Sequence, residues 1–494
     1  MSAAPGRPQA SSLPLGRTGR RPKGAPVTGG ALHWHSATAL AALIRERAVS
    51  SVEVTRHMLE RATRLQPALK SYALIDAEGA LAQAKAADTW LARGEVCGPL
   101  HGVPVAVKDI FATRGLATSA GMPQLAHWRP NHDATVVQRL RDSGAVLLGK
   151  LQMTEGGWAA HHPQVAAPVN PWHADYAPGG SSSGAGVALA AGLTFVALGT
   201  DTGGSVRQPA AATGVYGLKP TFGCVSRHGV MPMSPSMDHV GLMARSVRDV
   251  AALLGIVSGR DGWDPATADF PVRDFLGSLG GNQRVRIGMP DDWPHDGVDA
   301  SVQRAVEHAS TLLRDAGMQL TRLPVPDLHA AAAAWLPLCA PDVAAMHAYA
   351  DATDCERYGP ALLGLIEAGR HMPAQQRIEA ERVRTQFAQQ MQAVFERVDV
   401  LLLPVTPGGP AQLAAMRQRG ASTEAVEPAL VYTAPFNMSG HPALAMPCLF
   451  TPEGLPVGVQ LVGRHGAEQM LLDLALRYEL RLGPQSHPPF EAAS

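Results

Sequence analysis

The chain predicts an α/β protein in which one large mixed β-sheet is sandwiched between α-helices, and three observations carry that prediction. Short apolar runs at residues 103–107, 145–148, 194–198, 284–287, 398–403, 443–446 and 457–461 read as strands. Many are apolar throughout, the pattern of strands buried on both faces. Stretches with helical periodicity lie between them, clearest at 133–143, 298–317 and 377–398, and interleaving of this kind gives a sheet covered on both sides. Residues 184–195, GAGVALAAGLTF, form an apolar run of small residues that no flexible linker would carry. They read as a buried helix running into a strand.

Taken in order, residues 1–31 are rich in Pro, Gly, Ser and Arg and have no apolar signal core, so they are expected to be a disordered tail. Arg20 and Arg21 are not followed by the hydrophobic segment of a twin-arginine signal. Ser50 with Glu53 three residues later makes a capping box that opens a helix through about Gln66, and Asp133 is expected to cap the helix before the 145–148 strand. Residues 32–484 are expected to form one domain, followed by a C-terminal tail at 485–494, with no internal repeat.

Composition narrows the function. The 42 basic and 42 acidic residues cancel, which gives no electrostatic reason to bind nucleic acid or an acidic membrane. No apolar run approaches the roughly 18 residues of a membrane span, since 330–340 is interrupted by Pro337. Five dispersed cysteines, Cys97, Cys224, Cys339, Cys355 and Cys448, show no disulfide framework and suit a reducing cytoplasm. None of the 19 histidines, His161, His162 and His173 included, sits in a metal-ligand motif, so they are expected at the surface or in loops and no metal or cofactor is expected. No phosphate-binding glycine loop is present, and Gly149-Lys150 is a strand end.

The chemistry-bearing residues are two serines and a lysine. Ser181 and Ser205 each follow a Gly-Gly pair, in GGSSSGAG and GTDTGGSVR, where glycines let backbone N–H groups crowd a ligand atom and put a hydroxyl at the tip of a tight turn. Lys108 closes the apolar run of VPVAVKD, where burial would depress its pKa and let it act as a neutral base. Together they point to a hydrolase built on Ser-Ser-Lys.

The stretch PGGSSSGAGVALAAGLTFVALGTDTGGSVRQPAAATGVYGLKPT, from Pro178 to Thr221, resembles the amidase signature family. Further blocks follow the family order: SSVEVTRHMLERATRLQPALKSYALI, GPLHGVPVAVKDIF, SMDHVGLMARSVRDVAALL and FNMSGHPALAMPCLFTPEGLPVGVQLVG. The likeness runs from about Leu32 to about Leu482. Two departures replace small residues with small ones: the common G-G-S-S-G-G-S-A reads GGSSSGAG at 179–186, and the frequent Phe-Cys-Gly reads Ala212-Thr213-Gly214.

The resemblance implies the α/β/α sandwich and assigns Ser205 as nucleophile, Ser181 as a bridging serine on a cis peptide, and Lys108 as base. It gives the backbone N–H groups of Thr202, Gly203, Gly204 and Ser205 as the oxyanion hole. Ser182 is implied as a supporting hydrogen-bonding serine, while Asp201 and Arg207 are expected to be a buried pair fixing the loop, because an unpaired buried charge is costly. Glu155, Gly156 and Trp158 are expected near the substrate, with the pocket lined by residues 158–167, 335–349 and 430–436. The expected partners are a small amide substrate and, as an option, a second copy of the chain.

Three functions are distinguished. A stand-alone amidase acting on a carboxamide, anilide, carbamate or ester fits best. The amidase-type component of glutamyl-tRNA amidotransferase is second, because residues 328–359 lack the Asn-Leu-Ala-Arg-Tyr-Asp-Gly-like pattern of that component. A non-catalytic binding or scaffold member of the family would have lost Lys108, Ser181 or Ser205, and all three are present.

Overall fold

The computed structural model describes residues 29–294, 297–348, 357–419 and 427–490, and in them eleven strands form one mixed sheet with helices on its two faces. The strands are β1 (Tyr72–Ile75), β2 (Pro104–Lys108), β3 (Val146–Leu151), β4 (Val196–Asp201), β5 (Tyr216–Lys219), β6 (His239–Ala244), β7 (Arg286–Pro290), β8 (Gln319–Leu323), β9 (Val400–Pro404), β10 (Ala443–Phe450) and β11 (Pro456–Gly463). Their order across the sheet is β1-β3-β2-β4-β6-β5-β10-β11-β9-β7-β8. The predicted sandwich is the observed fold.

β3, β2 and β4 run parallel, and every residue in them is buried, which is why their sequences carry no polar alternation. Parallel pairing has a geometric consequence for function. Lys108 at the end of β2 and Asp201 at the end of β4 come to the same edge of the sheet. β6 runs antiparallel to β4 with His239 opposite Asp201, so Asp238, just before β6, reaches that edge from the other direction.

The seven predicted strands are all present, with ends displaced by up to four residues, the largest being β10, which runs on to Phe450. Four were not predicted. β1 and β5 have only four residues each, β6 begins with a histidine and contains Gly241, and β8 is a solvent-exposed edge strand whose Arg322 breaks any apolar run. Edges of this kind are kept polar because an apolar one would pair with other chains.

Ser50 caps the helix Ser51–Leu69 through the predicted capping box, with Glu53 reaching back to the Ser50 N–H at 2.8 Å. Asp133 does not cap the next predicted helix. That helix, Thr135–Asp142, has Ala134 at its cap position, while the Asp133 carboxylate accepts the Arg114 N–H at 2.7 Å and pairs with Arg141. The helix Ser183–Ala190 is buried at every residue, as the small-residue run predicts.

The helix Leu328–Met346 corrects another expectation. It runs straight through Pro337 and Pro341, and over 18 residues its mean hydropathy of 1.2 would suffice by length and composition for a membrane span. More than half of that stretch is buried inside the protein, and it serves here as a core helix over the sheet edge described above.

Residues 1–28, the bulk of the predicted N-terminal tail, and Cys355 lie outside the described residues. At the other end, His487 stacks on Trp34 at 3.7 Å and Phe490 packs against the core, so residues 485–490 lie against the body of the domain.

Candidate active site

Lys108, the last residue of β2, is fully buried, and its Nζ stands 2.7 Å from Ser181 Oγ and 2.8 Å from Thr200 Oγ1. Burial is the largest influence on this amine and pulls its pKa from 10.5 to about 7, against the opposing charges of Asp201 and Asp238. The Gly180–Ser181 peptide is cis, and Ser181 is almost completely buried. From Ser182 the chain turns into the helix Ser183–Ala190.

Ser205 lies past the end of β4, two residues before the helix Arg207–Thr213, and is half-buried. Its carbonyl accepts the Ser182 N–H at 3.1 Å, which ties the two serine-bearing turns together. Ser182 Oγ reaches Thr200 O at 3.3 Å and lies 3.4 Å from the Thr200 N–H, a framework role. The three residues singled out from sequence therefore converge at one edge of the sheet.

Asp201 organises the turn. Its carboxylate accepts from Gly204 N–H at 2.8 Å and Val206 N–H at 3.2 Å, and pairs with Arg207 at 2.9 Å with both side chains fully buried. Burial alone would raise this carboxyl, but Arg207, with help from Lys219 and Asn437, more than offsets it and holds the group well below the usual carboxylate range. The rest of the Arg207 guanidinium is used by Thr433 O, Asn437 Oδ1 and Gln460 Oε1. The predicted pair is thus a fully satisfied buried network.

One sequence expectation changes here. The Gly204 N–H is spent on Asp201, so it is not an available oxyanion donor; its φ of +133° and the 2.6 Å that would separate an added Cβ from Thr433 Oγ1 explain the glycine instead. The N–H groups of Thr202, Gly203 and Ser205 have no acceptor among the described residues. Their turn is pinned from outside: Trp335 Nε1–H donates to Thr202 O at 2.8 Å, Thr433 Oγ1–H to Gly203 O at 2.6 Å, and Asn437 Nδ2–H to Asp201 O at 2.8 Å.

The three residues expected near substrate divide. Trp158 is buried and stacks on Trp335, with rings 5.8 Å apart and 9° from parallel, directly behind the turn. The Gly156 N–H is spent within the fold, on Ala120 O at 2.9 Å. Glu155 is engaged within the fold: both carboxylate oxygens accept the Gly359 N–H at 3.0 Å, at the start of the helix Pro360–Arg370. Burial raises the Glu155 carboxyl to about 7. A methyl at Gly157 would stand 3.9 Å from Ser181 Oγ, with Met233 and Ile110 beside it, so this wall of the site is apolar.

His161, His162 and His173 all lie in loops, as expected. His161 Nε2 lies 3.0 Å from Ser183 Oγ and burial lowers its pKa to about 4, while His162 is buried and His173 is exposed. Sequence reasoning did not single out Thr200, Asp238, Asn437 or Gln460. Thr200 had one usable signal, its place one residue from the end of an all-buried strand two positions before the turn. Trp335 and Thr433 fall inside the predicted pocket segments. A surface depression of about 690 Å³ lined by Arg384, Gln389, Arg464 and His465 contains none of the converging residues.

Comparison with known proteins places the chain in a family. The sequence pattern of the family described as Amidase matches residues 53–472. AmiD of Mycobacterium tuberculosis is 42% identical over 436 residues, covering 88% of this chain and 91% of its own. The amidase-type component of the glutamyl-tRNA(Gln) amidotransferase of Roseiflexus castenholzii is 36% identical over 463 residues, covering 87% and 92%. The crystal structure of native peptide amidase from Stenotrophomonas maltophilia superposes with a TM-score of 0.79 at 32% identity, covering 92% of this chain and 98% of that one.

Proposed function

The chain belongs to the amidase signature family and is an amide-hydrolysing enzyme, and we propose that it cleaves uncharged carboxamides through a serine acyl-enzyme, with Ser205 as nucleophile, Ser181 as proton bridge and Lys108 as base. One observation carries this reading: a buried lysine with a pKa of about 7 stands 2.7 Å from Ser181 Oγ, and Ser181 sits on the turn tied by hydrogen bond to that of Ser205.

The chemistry follows from the parts. Neutral Lys108 takes a proton from Ser181, which takes one from Ser205 as its Oγ attacks the amide carbonyl. The carbonyl oxygen gains negative charge and meets the N–H groups of Thr202, Gly203 and Ser205, a donor set whose single members are each worth on the order of 2.7–4 kcal/mol in such holes. Ser181 then hands its proton to the departing nitrogen, Lys108 returning one to Ser181. Water resolves the acyl-enzyme by the same route reversed.

The restriction to uncharged substrates rests on the surrounding side chains. Arg207 is saturated by Asp201, Thr433, Asn437 and Gln460, and Glu155 is bound to Gly359. Arg207 is therefore not available for the carboxylate of free glutamine, and Glu155 already has a partner within the fold. The amidase-type component of glutamyl-tRNA amidotransferase remains the second reading, favoured by the 36% identity to such a protein.

Two measurements on purified protein decide between them. Fluorophosphonate should label Ser205, identified by mass spectrometry, and an adduct on Ser181 or Ser183 would sink the assignment. A hydrolysis screen over aliphatic amides, anilides, carbamates and glutamine should favour the uncharged amides. Rapid glutamine hydrolysis, or activity seen only with added partner proteins, would reverse the ranking.

A further inference from the structure

Asp238 lies just before β6 and is buried, at the same sheet edge as Lys108 and the Ser205 turn. Three donors converge on its carboxylate: Thr202 Oγ1–H at 2.6 Å, Met233 N–H at 2.9 Å and Ser234 N–H at 3.1 Å. Burial raises this carboxyl above its ordinary value, and the converging donors pull the other way by favouring the ionised form. The charges around it are otherwise engaged. Arg227 is held by Asp264 at 2.8 Å, and Asp342 accepts the Ser234 hydroxyl while pairing with Arg377. The Cys339 thiol is buried and stays protonated.

Thr202 is the residue on which these contacts act. Its hydroxyl is held by Asp238 and its carbonyl by Trp335 Nε1–H, which leaves its backbone N–H as the group with no acceptor among the described residues. The peptide unit that carries this N–H is held through its own carbonyl, Asp201 O, by Asn437 Nδ2–H at 2.8 Å, and the anchored Thr202 side chain and carbonyl fix the residue on its other side, so the N–H cannot swing freely within the turn. The same carboxylate also acts on Lys108, because Asp238 and Asp201 are the two anions that oppose the effect of burial on that amine. Asp201 is already neutralised by its contact with Arg207, whereas Asp238 has no such direct cation among the described residues.

We propose that Asp238 is a positioning residue of the amide-hydrolysing site: it aims the Thr202 N–H at the reacting carbonyl through the Thr202 hydroxyl, and its charge tunes how readily Lys108 gives up its proton. The proposal rests on the assignment of Ser205, Ser181 and Lys108 made above. It adds a residue that touches neither substrate nor nucleophile and yet acts on both the oxyanion site and the base. Its two effects are separable. Thr202→Val breaks the link and keeps the charge, while Asp238→Asn removes the charge and keeps one oxygen for the Thr202 hydroxyl.

The test uses the full-length protein and the rate at which fluorophosphonate labels Ser205 between pH 5 and 10, so it needs no knowledge of the natural substrate. Wild type should show a labelling rate that rises with pH to a plateau. Asp238→Asn should move the midpoint to lower pH, since removing an anion near Lys108 makes the charged amine less favourable. Thr202→Val should leave the midpoint in place and lower the plateau on the order of 10- to 100-fold, as expected for a misaligned oxyanion donor. Thr202→Ser, which keeps the hydroxyl, should restore labelling to within about threefold of wild type.

A midpoint in Asp238→Asn that is unchanged or moves up would overturn the proposal. So would a Thr202→Val plateau equal to wild type, or equal losses in Thr202→Val and Thr202→Ser. If Asp238→Asn does not fold, the two Thr202 variants decide the matter alone. Absence of labelling in the wild type is a different result: it removes the Ser205 assignment, and the role of Asp238 falls with it.

Discussion

Replacing Lys108 by alanine tests the least ordinary part of the site, a lysine acting as a base near neutral pH. An amine at 10.5 is neutral in only about one molecule in 3,000 at pH 7, whereas at about 7 half of it is neutral. Burial therefore supplies roughly a thousandfold more of the working form, and the displacement corresponds to roughly 5 kcal/mol of selective disfavour for the ammonium. The wild-type kcat/KM for an amide should accordingly rise with pH through an ionisation near 7 and level off in the mildly alkaline range. Lys108→Ala should abolish that ionisation and remove most amide turnover, typically 10²- to 10⁴-fold for loss of a positioned base. Esters should suffer less, because an alkoxide leaving group needs less help from a proton than an amine does. The assay is a pH–rate profile for a matched amide and ester pair, with circular dichroism and thermal melting to show that the variant folds. If Lys108→Ala kept the wild-type profile with near-full amide turnover, the Ser-Ser-Lys reasoning would be refuted and the base would have to be sought among the histidines, beginning with the half-buried His161 beside Ser183.

Three other perturbations have defined outcomes. Thr200→Val removes the second partner of Lys108 Nζ, so kcat should drop roughly tenfold while the ionisation seen in the pH profile moves lower, since one hydrogen bond to the ammonium is lost. Trp335→Phe deletes the donor to Thr202 O and should lower kcat several-fold with a smaller change in KM for a small amide, read by steady-state kinetics; a pure KM effect would mean the indole only lines the pocket. Glu155→Gln should be neutral for stability below about pH 4.5 and stabilising above pH 7, by on the order of 1–3 kcal/mol, because the folded-state carboxyl is raised to about 7 and its ionisation in the buried site costs stability as pH rises between those values. Denaturant melts at pH 4.5 and 8 check the sign, and equal effects at both pH values would contradict it.

What the sequence made legible follows a physical line. The convergence of Lys108, Ser181 and Ser205 could be anticipated because the signals that mark them are local: a lysine ending an apolar strand, and hydroxyls placed after Gly-Gly pairs that leave room for a tight turn. The parallel strands β2, β3 and β4 were readable for the same kind of reason, their burial on both faces being written into uninterrupted apolar runs. For Glu155 and Gly156 a motif position does not say which partners a group takes within the fold. One carboxylate is committed to Gly359, some two hundred residues away, and one N–H to Ala120. Gly204 illustrates the same limit within the motif itself, since only the folded turn shows that Asp201 claims its N–H.

The residues that escaped sequence reasoning act across strands. Thr200 meets Lys108 because β2 and β4 are parallel neighbours, and Asp238 meets Thr202 because β6 returns antiparallel with His239 opposite Asp201. Asn437 and Gln460 reach Asp201 and Arg207 from the far C-terminal part of the chain, separated by more than two hundred residues. None has a local signature, because an ordinary threonine, aspartate, asparagine or glutamine acquires its role only from the register that brings it to the edge. The sheet thus does more than display a turn. By placing the ends of two parallel strands and the start of an antiparallel one at a single edge, it puts Lys108, Ser181 and the anchored Thr202–Ser205 turn within one hydrogen-bonded network, and under the proposed mechanism substitutions that alter strand register there should impair catalysis before they impair folding.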